Sequence, residues 1–309
     1  MKTFLKNNHS GLVTSDNWVE NCWISIENPT TEDQNYLLEE LKIPESFYND
    51  IADIDERPRI EMENGWYLII LRIPYKNSDA KLPFTTVPLG IVFKEDIFVS
   101  ICFYETEMLH DFVHYTQRKN ILIKNHFDLV LKLLLASSVW FLKYLKQVNQ
   151  RIKLAEDNLE KSIKNEELQA LLHLEKCLVY FITSIKGNTI LFERIKNIKI
   201  GAVTFDPDLL EDVDIEMKQA LEMSKIYSDI LTGMMDAYAS VISNNLNVVM
   251  KRLTSISIIL MIPTLIASLY GMNVPNSLEN NPNGLWIILL ISGILSITGV
   301  FLFKKKNFF

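Results

Sequence analysis

The stretch MKRLTSISIILMIPTLIASLYGMN, Met250–Asn273, decides how this chain must fold. Within it, the twenty residues from Leu253 to Met272 carry no charged side chain. A helix that rises about 1.5 Å per residue extends roughly 30 Å over this length, which is the thickness of a bilayer's hydrocarbon core. A second uncharged run, Leu285–Phe303, follows a short polar loop. We predict a hairpin of two transmembrane helices, because two such runs are rare in the core of a soluble protein.

Basic residues flank this hairpin on one side only. Lys251 and Arg252 precede the first run, and Lys304–Lys306 follow the second. The intervening loop contains no Lys or Arg, and Glu279 is its only charged residue. The positive-inside rule therefore places both termini in the cytoplasm and the loop outside. We expect a multi-pass protein of the cell (plasma) membrane. Anionic lipid head groups are the expected neighbours of the terminal lysines.

A stripe of small, polar and Met side chains follows one face of the first run and continues upstream of it. Its members alternate three and four residues apart: Gly271, Ser268, Thr264, Met261, Ser257, Thr254, Met250, Asn247, Ser243, Ser240 and Asp236. This period of 3.5 keeps a stripe on the axis of a left-handed helix bundle. Either several copies enclose a water-filled pore, or the small residues serve dry helix packing. Because the stripe continues to Asp236, well before the membrane, we favour the pore.

The end of the first run resembles a known family. Tyr270–Asn273 reads YGMN, with Pro263 and Thr264 before it and a short loop, a second span and a lysine-rich end after it. This arrangement resembles the CorA family of divalent-cation (magnesium) transporters, the superfamily with the GMN motif. The run SNNLNVVMKRLT, Ser243–Thr254, resembles the family's stalk below the membrane, and ERPRIEMENGWYLIILRIPY, Glu56–Tyr75, is a weaker match. The resemblance spans most of the chain.

The resemblance implies a fold and an assembly. The expected fold has an α/β cytoplasmic N-terminal domain, a long helical stalk and two C-terminal transmembrane helices, assembled as a funnel-shaped homopentamer. The expected divisions are the α/β domain (1–122), an antiparallel helical pair (123–200), a stalk helix that continues into the first transmembrane helix (206–273, membrane part about 252–272), an external loop (274–284), the second transmembrane helix (285–303) and a basic cytoplasmic tail (304–309).

The resemblance also implies an ion pathway. The selectivity filter matches Gly271, Met272 and Asn273, with a ring of Asn273 amides at the outer mouth. The family's hydrophobic constriction matches Met250, Leu253 and Met261. Polar pore positions match Asn247 and Thr264, and the acidic inner mouth matches Asp236. Ser257 and Ser268 belong to the same stripe.

A ring of neutral amides suits magnesium. Mg²⁺ gives up its bound water reluctantly, and amide oxygens accept hydrogen bonds from that water without stripping it. Carboxylates would bind the ion more tightly and slow its release. The membrane potential supplies about 4.6 kcal/mol per 100 mV for a divalent ion, twice the value for one charge. No G-x-x-x-x-G-K-[ST] phosphate-binding motif is present, and no constellation of an enzyme's nucleophile and base is evident.

An acidic cluster opens the stalk. Six carboxylates occur in eleven residues: Asp206, Asp208, Glu211, Asp212, Asp214 and Glu216. A solvated face and favourable charge at a helix N-terminus account for much of this cluster. The resemblance singles out Asp212 as a ligand of a regulatory Mg²⁺ ion between subunits. Its partner should come from the neighbour's loop YKNSDAK, where Asp79 is the candidate, although this loop is less acidic than the family's pattern.

The remaining sequence bounds the domain that the hairpin carries. The net charge of −7 disfavours nucleic acid as a partner. Three isolated cysteines indicate neither a zinc site nor a disulfide framework. No signal peptide is expected in MKTFLKNNHS. Strands are predicted at Cys22–Ile26 and on both sides of the turn at Asn64-Gly65. His110 and His114 have a metal-like spacing, but we interpret them as surface or packing residues.

These observations predict a passive Mg²⁺ channel that the membrane potential drives and that intracellular Mg²⁺ closes. One alternative keeps the fold and transports Zn²⁺, Co²⁺ or Ni²⁺. Another is a membrane-anchored cation sensor that conducts nothing. The polar stripe argues against the sensor, because such a protein needs no water-lined face in the membrane.

Overall fold

The computed structural model describes residues 2–8, 11–77, 82–161, 165–198, 205–272 and 281–306. These residues form two compact units, Met1–Thr232 and Gly233–Phe309. Asn273 and Asp79, two of the predicted site residues, lie outside the described part of the chain.

The first unit contains a seven-stranded sheet. Its strands are β1 (Lys2–Asn8), β2 (Gly11–Ser15), β3 (Trp23–Glu27), β4 (Arg59–Glu63), β5 (Trp66–Lys76), β6 (Phe84–Lys94) and β7 (Ile97–Cys102). The order across the sheet is β2-β1-β3-β7-β6-β5-β4. Neighbours are antiparallel except β3 and β7, which run parallel. The two parallel strands join an N-terminal β1–β3 group to the β4–β7 meander.

The hairpin predicted at Asn64-Gly65 is confirmed. Both residues have positive φ, 51° and 80°, as a two-residue turn of type I′ requires. Glu63 and Trp66 form the last pair of the β4–β5 ladder. Strands β1 and β2 were not predicted, because KTFLKNN has only a weak apolar alternation.

Helices cover this sheet and connect its strands. They are α1 (Thr31–Asn35), a π-helical turn (Tyr36–Glu40), α2 (Glu45–Ala52), α3 (Glu107–Lys119), α4 (His126–Lys161) and α5 (Asn165–Lys196). Helices α4 and α5 are antiparallel, because Phe141 packs on Phe181 at 5.1 Å between ring centroids and Asn158 Nδ2 donates to Glu167 Oε1 at 3.2 Å. Phe84 on β6 also packs on Phe181, so the helical pair and the sheet share one core.

The last two helices are long and apolar. Helix α6 spans Pro207–Tyr270, 64 residues with Pro263 inside, and α7 spans Gly284–Lys305, 22 residues. Among the described residues, α5, α6 and α7 are long and apolar enough to cross a membrane. The apolar window of α5 is 39% buried in the structure, whereas those of α6 and α7 are each 6% buried. The apolar residues of α5 therefore belong to the core of the first unit, and those of α6 and α7 are left for lipid or other protein.

Candidate functional site

Every described member of the predicted ion pathway lies exposed on the part of α6 that belongs to the second unit, or just after that helix ends. These residues are Asp236, Asn247, Met250, Leu253, Ser257, Met261, Thr264, Ser268, Gly271 and Met272. The N–H group of Gly271 donates to Ala267 O at 2.9 Å and completes the last helical turn. The GMN motif therefore begins where α6 ends.

The face of α6 that packs on α7 consists of other residues. A Cβ placed on Gly299 of α7 would lie 3.4 Å from Ile262 Cδ1 and 3.8 Å from Ile259 Cγ1. Ser255 is fully buried, and Ile259, Ile262 and Ile266 are half-buried, at helical spacings of four, three and four. These are ordinary van der Waals distances, so Gly299 lies at the contact between the two helices.

The stripe and this packing face lie on opposite sides of α6. At about 100° per residue, the positions of Ser255, Ile259, Ile262 and Ile266 cluster around one direction. The stripe positions from Met250 to Ser268 cluster about 180° away. Helix α7 therefore does not cover the stripe. In a bilayer, the polar stripe needs shelter from something other than its own hairpin.

Hydroxyl groups on the stripe donate their protons to the helix itself. Ser257 Oγ donates to Leu253 O at 2.9 Å, and Thr264 Oγ1 donates to Leu260 O at 3.0 Å. Ser240 Oγ donates to Asp236 O at 2.9 Å. With its proton used, each oxygen keeps free lone pairs and acts as an acceptor. Acceptors suit the outward-pointing protons of water bound to a cation.

The acidic cluster belongs to the first unit, where contacts with α4 anchor the start of α6. Lys124 Nζ donates to Asp206 Oδ2 at 2.9 Å, and this hydrogen bond lowers the pKa of the Asp206 carboxyl. The Phe205 ring packs edge-on against Phe127 at 6.0 Å. Asp206 Oδ1 also accepts from Asp208 N at 3.2 Å and so caps the helix.

Asp212 lies six residues after Asp206, on α6, and is exposed. It lines a cavity of about 360 Å³ together with Asp111 and Trp140. Trp140 Nε1 donates to Asp111 Oδ2 at 3.1 Å. Among the described residues, no group of three or more His, Cys, Asp or Glu side chains is placed to hold a metal ion.

His110 has a different neighbour from the one that its spacing suggests. Its Nε2 lies 3.6 Å from Glu27 Oε1 and 4.0 Å from Glu105 Oε1. Glu27 Oε2 accepts from Thr106 N at 2.7 Å and from Thr106 Oγ1 at 3.3 Å, at the start of α3. Burial raises the pKa of the Glu27 carboxyl. Sequence reasoning missed Glu27, since no local signal links it to residues 79 positions away.

Comparison with known proteins identifies what this arrangement is similar to. A model of the family described as CorA-like Mg²⁺ transporter protein matches residues 19–305. The cobalt/magnesium transport protein CorA of Methanocaldococcus jannaschii is 28% identical over 291 residues, which cover 92% of this chain and 90% of that protein. The protein of the same name from Thermotoga maritima is 25% identical over 282 residues, 84% of this chain and 74% of that protein.

Solved structures agree on the fold. The complete structure of the CorA magnesium transporter from Methanocaldococcus jannaschii has a TM-score of 0.84 at 24% identity and covers 100% of this chain and 99% of that chain. The cytoplasmic domain of ZntB from Vibrio parahaemolyticus has a TM-score of 0.59 at 12% identity and covers 80% of this chain and 98% of that chain. The predicted combination of an α/β domain, a long helix and C-terminal apolar helices is confirmed. The pentamer stays a prediction.

Proposed function

This chain belongs to the family of CorA-like Mg²⁺ transporter proteins, and from that premise we propose that it is a passive Mg²⁺ uptake channel that the membrane potential drives. The family consists of transporters, so the chain is not an enzyme. The observation that carries the proposal is the position of the polar stripe on α6, about 180° from the face that packs on α7. A hairpin that leaves such a stripe uncovered needs further copies around it.

In the proposed assembly, five copies place their stripes around one axis and their α7 helices outside. The divisions predicted from the sequence apply, with residues 1–122 and 123–200 in the cytoplasm, residues 206–273 as stalk and pore helix, residues 274–284 as the external loop, residues 285–303 in lipid and the tail 304–309 in the cytoplasm. Both termini are cytoplasmic, and the cell membrane is the proposed location.

The pathway has three parts in this proposal. A ring of Asn273 amides beside Gly271 and Met272 accepts hydrogen bonds from water on the arriving ion and selects for hydration and size. Hydroxyl oxygens of Thr264 and Ser257 continue this path inward. Met250, Leu253 and Met261 form an apolar constriction that closes by excluding water.

Regulation is proposed at Asp212. Carboxylates of neighbouring subunits repel one another when no cation is bound. Intracellular Mg²⁺ between Asp212 and a neighbour's acidic residue, with Asp79 as the candidate, would hold the closed state. Mg²⁺ is then both the transported ion and the regulator.

The identity of the ion needs a direct test, because the named relatives are described as transporting cobalt as well as magnesium. Purified full-length protein in liposomes should take up Mg²⁺ when a negative-inside potential is imposed, and Zn²⁺, Co²⁺ and Ni²⁺ are tested in parallel. A preference for Zn²⁺ would select the alternative transporter. No uptake of any of the four ions above empty liposomes would favour the non-conducting sensor and contradict the proposal.

Asn273→Ala provides the internal control for the filter. This substitution should abolish selective Mg²⁺ uptake while the protein still assembles as the wild type does. Asn280→Ala, in the same external loop, should leave uptake within about twofold. Normal uptake by Asn273→Ala would remove Asn273 from the filter.

A further inference from the structure

A second cavity lies in the first unit, far along the sequence from the stripe. It has a volume of about 540 Å³, within the range of small-ligand sites. Its walls come from residues 55–58 before β4, from β5 and β6, and from α5. Three basic side chains line it: Arg57, Arg72 and Lys186.

Arg72 is the central group of this cavity. Its Nη1 donates to Ile54 O at 2.7 Å and to Glu56 O at 3.0 Å. Its Nη2 donates to Thr86 O at 2.7 Å, and its Nε donates to Thr86 Oγ1 at 3.1 Å. These bonds use four of the five guanidinium N–H groups, and the fifth has no acceptor among the described residues.

No carboxylate forms a direct ion pair with Arg72. Within the described part of the chain, no Asp or Glu oxygen lies within 4.0 Å of its guanidinium. Asp55 and Glu56 lie in the loop itself, and the Glu56 carboxylate pairs with Arg59, which Asp50 and Glu61 also contact. Burial lowers the pKa of Arg72, while the charges of Asp55, Asp53 and Glu56 act in the opposite direction. Arg72 therefore has acidic groups nearby but no direct ionic contact, and an anion beside it would add a charge-assisted hydrogen bond.

The other polar groups of the cavity also leave a donor unused. Thr86 Oγ1 and Ser184 Oγ lie 2.7 Å apart and share one hydrogen bond, and both residues are almost completely buried. Thr86 Oγ1 already accepts from Arg72 Nε. One hydroxyl of the pair donates its proton to the other. The proton of the second hydroxyl has no acceptor among the described residues. Arg72 and the Thr86–Ser184 pair therefore each have one proton left for an acceptor.

The two remaining cations are placed where a ligand would reach them from solvent. Arg57 and Lys186 are exposed, and the part of the chain that the structure describes gives neither side chain an acidic partner within 4.0 Å. Asp55 also lines the cavity and offsets one charge. Glu56 lines it too, so the lining carries one net positive charge from three basic groups and two acidic groups.

We propose that this cavity binds a phosphate-bearing anion. Arg57 and Lys186 supply the charge that attracts it, and Arg72 with the Thr86–Ser184 pair supplies buried donors for its oxygens. Water would accept the same hydrogen bonds but would not neutralise the charge. The proposal does not depend on which ion the second unit transports.

Inorganic pyrophosphate is the probe for this site. Full-length protein in detergent is titrated by calorimetry in Mg²⁺-free buffer of constant ionic strength, so that the probe does not act by chelation. Saturable binding of one pyrophosphate per chain is expected. Absence of saturable binding up to millimolar pyrophosphate would overturn the proposal, as would equal competition by the same concentration of chloride.

Charge-removing variants locate the site. The double substitution Arg57→Gln with Lys186→Gln should raise the Kd at least tenfold without changing the thermal transition by more than a few degrees, because both side chains are exposed. Lys176→Gln, an exposed lysine on the same helix α5, should leave the Kd within twofold. A Kd for the double variant that matches this control would contradict the assignment. Asp212→Asn should bind as the wild type does, which separates this site from the proposed regulatory site.

Discussion

The side-chain amide of Asn188 on α5 bonds to both backbone groups of Arg72 on β5. Arg72 N donates to Asn188 Oδ1 at 2.9 Å, and Asn188 Nδ2 donates to Arg72 O at 2.7 Å. The neighbouring strand β4 pairs with β5 only as far as Ile70, opposite Arg59. The Asn188 side chain therefore makes the two hydrogen bonds to the Arg72 backbone that a neighbouring strand would otherwise make. On the other side of β5, Arg72 faces Pro88, which is tolerated because this pair needs no ladder hydrogen bond.

Replacement of Asn188 should weaken the first unit strongly. At a position that is 3% exposed, Asn188→Leu leaves the Arg72 N–H without its partner and leaves the Arg72 C=O with only the 3.3 Å hydrogen bond from Ser137 Oγ. We expect the free energy of unfolding to fall by about 2–4 kcal/mol. Thermal unfolding of the full chain in detergent measures this change. Asn158→Leu, whose amide bonds to Glu167 at the surface, should cost less than about 1 kcal/mol, and equal losses in the two variants would contradict this role.

Glu27 should make the stability of the fold depend on pH. Burial raises its pKa above the ordinary value of 4.5, so the folded state holds the proton more tightly than the unfolded state. The wild type should therefore lose stability as pH rises from 4.5 through the raised pKa, and then stay constant with respect to this group. Glu27→Gln keeps an acceptor for Thr106 and removes the buried charge.

The measurement is the difference in thermal transition between Glu27→Gln and wild type at pH 5 and pH 8. The variant should gain relative to the wild type at pH 8, and this advantage should shrink at pH 5. Glu105→Gln is the control, since its side chain is 84% exposed. A difference for Glu27→Gln that does not change with pH would show that its carboxyl does not titrate in this range.

How much of this fold was accessible from the sequence depends on how local each feature is. Asn64-Gly65 specifies its turn through two adjacent residues, so the hairpin was predictable. Strand β2 was not, because its place depends on the close approach of Gly11, at φ 91°, to the backbone of Thr116 in α3. The parallel pairing of β3 with β7 likewise depends on chain segments more than seventy residues apart.

The same distinction holds for the sites. The stripe on α6 is a periodic pattern within one helix, and the sequence alone suffices to describe it. The partners of Arg72 and Glu27 come from distant segments, and an arginine within an apolar strand gives no sign of which groups surround it. Helix α5 shows the opposite case, because its composition alone would allow a membrane span but its packing shows it to be part of a core.

A polar substitution in the proposed apolar constriction should let Mg²⁺ leak through the closed channel. Leu253→Ser should raise the basal flux of Mg²⁺ through closed channels at least severalfold, because a hydroxyl ring allows water to enter. Flux into liposomes under high internal Mg²⁺ is the measurement. Ile258→Ser changes an exposed apolar residue about a quarter turn away from the stripe and should not leak. A Leu253→Ser flux no greater than that of this control would count against a gate at Leu253.

Closure by intracellular Mg²⁺ should depend on Asp212. Asp212→Asn removes one carboxylate from each proposed site between subunits, so the concentration of internal Mg²⁺ that halves the flux should rise about tenfold. Glu211→Gln removes a neighbouring exposed carboxylate and should leave this concentration within about twofold. Unchanged inhibition in Asp212→Asn would exclude Asp212 from regulation.

The central claim is that the stripe on α6 faces water along a shared axis, and thiol labelling at the outer end of the stripe tests it. The natural cysteines Cys22, Cys102 and Cys177 are all buried, so an introduced cysteine gives the signal. Ser268→Cys lies on the stripe, and Ala267→Cys lies about 100° away on the same turn. We predict that a membrane-impermeant thiol reagent applied from outside modifies Ser268→Cys and blocks Mg²⁺ uptake, whereas Ala267→Cys keeps its flux. Equal resistance of both variants, or equal loss of flux in both, would contradict a water-filled pathway along this face.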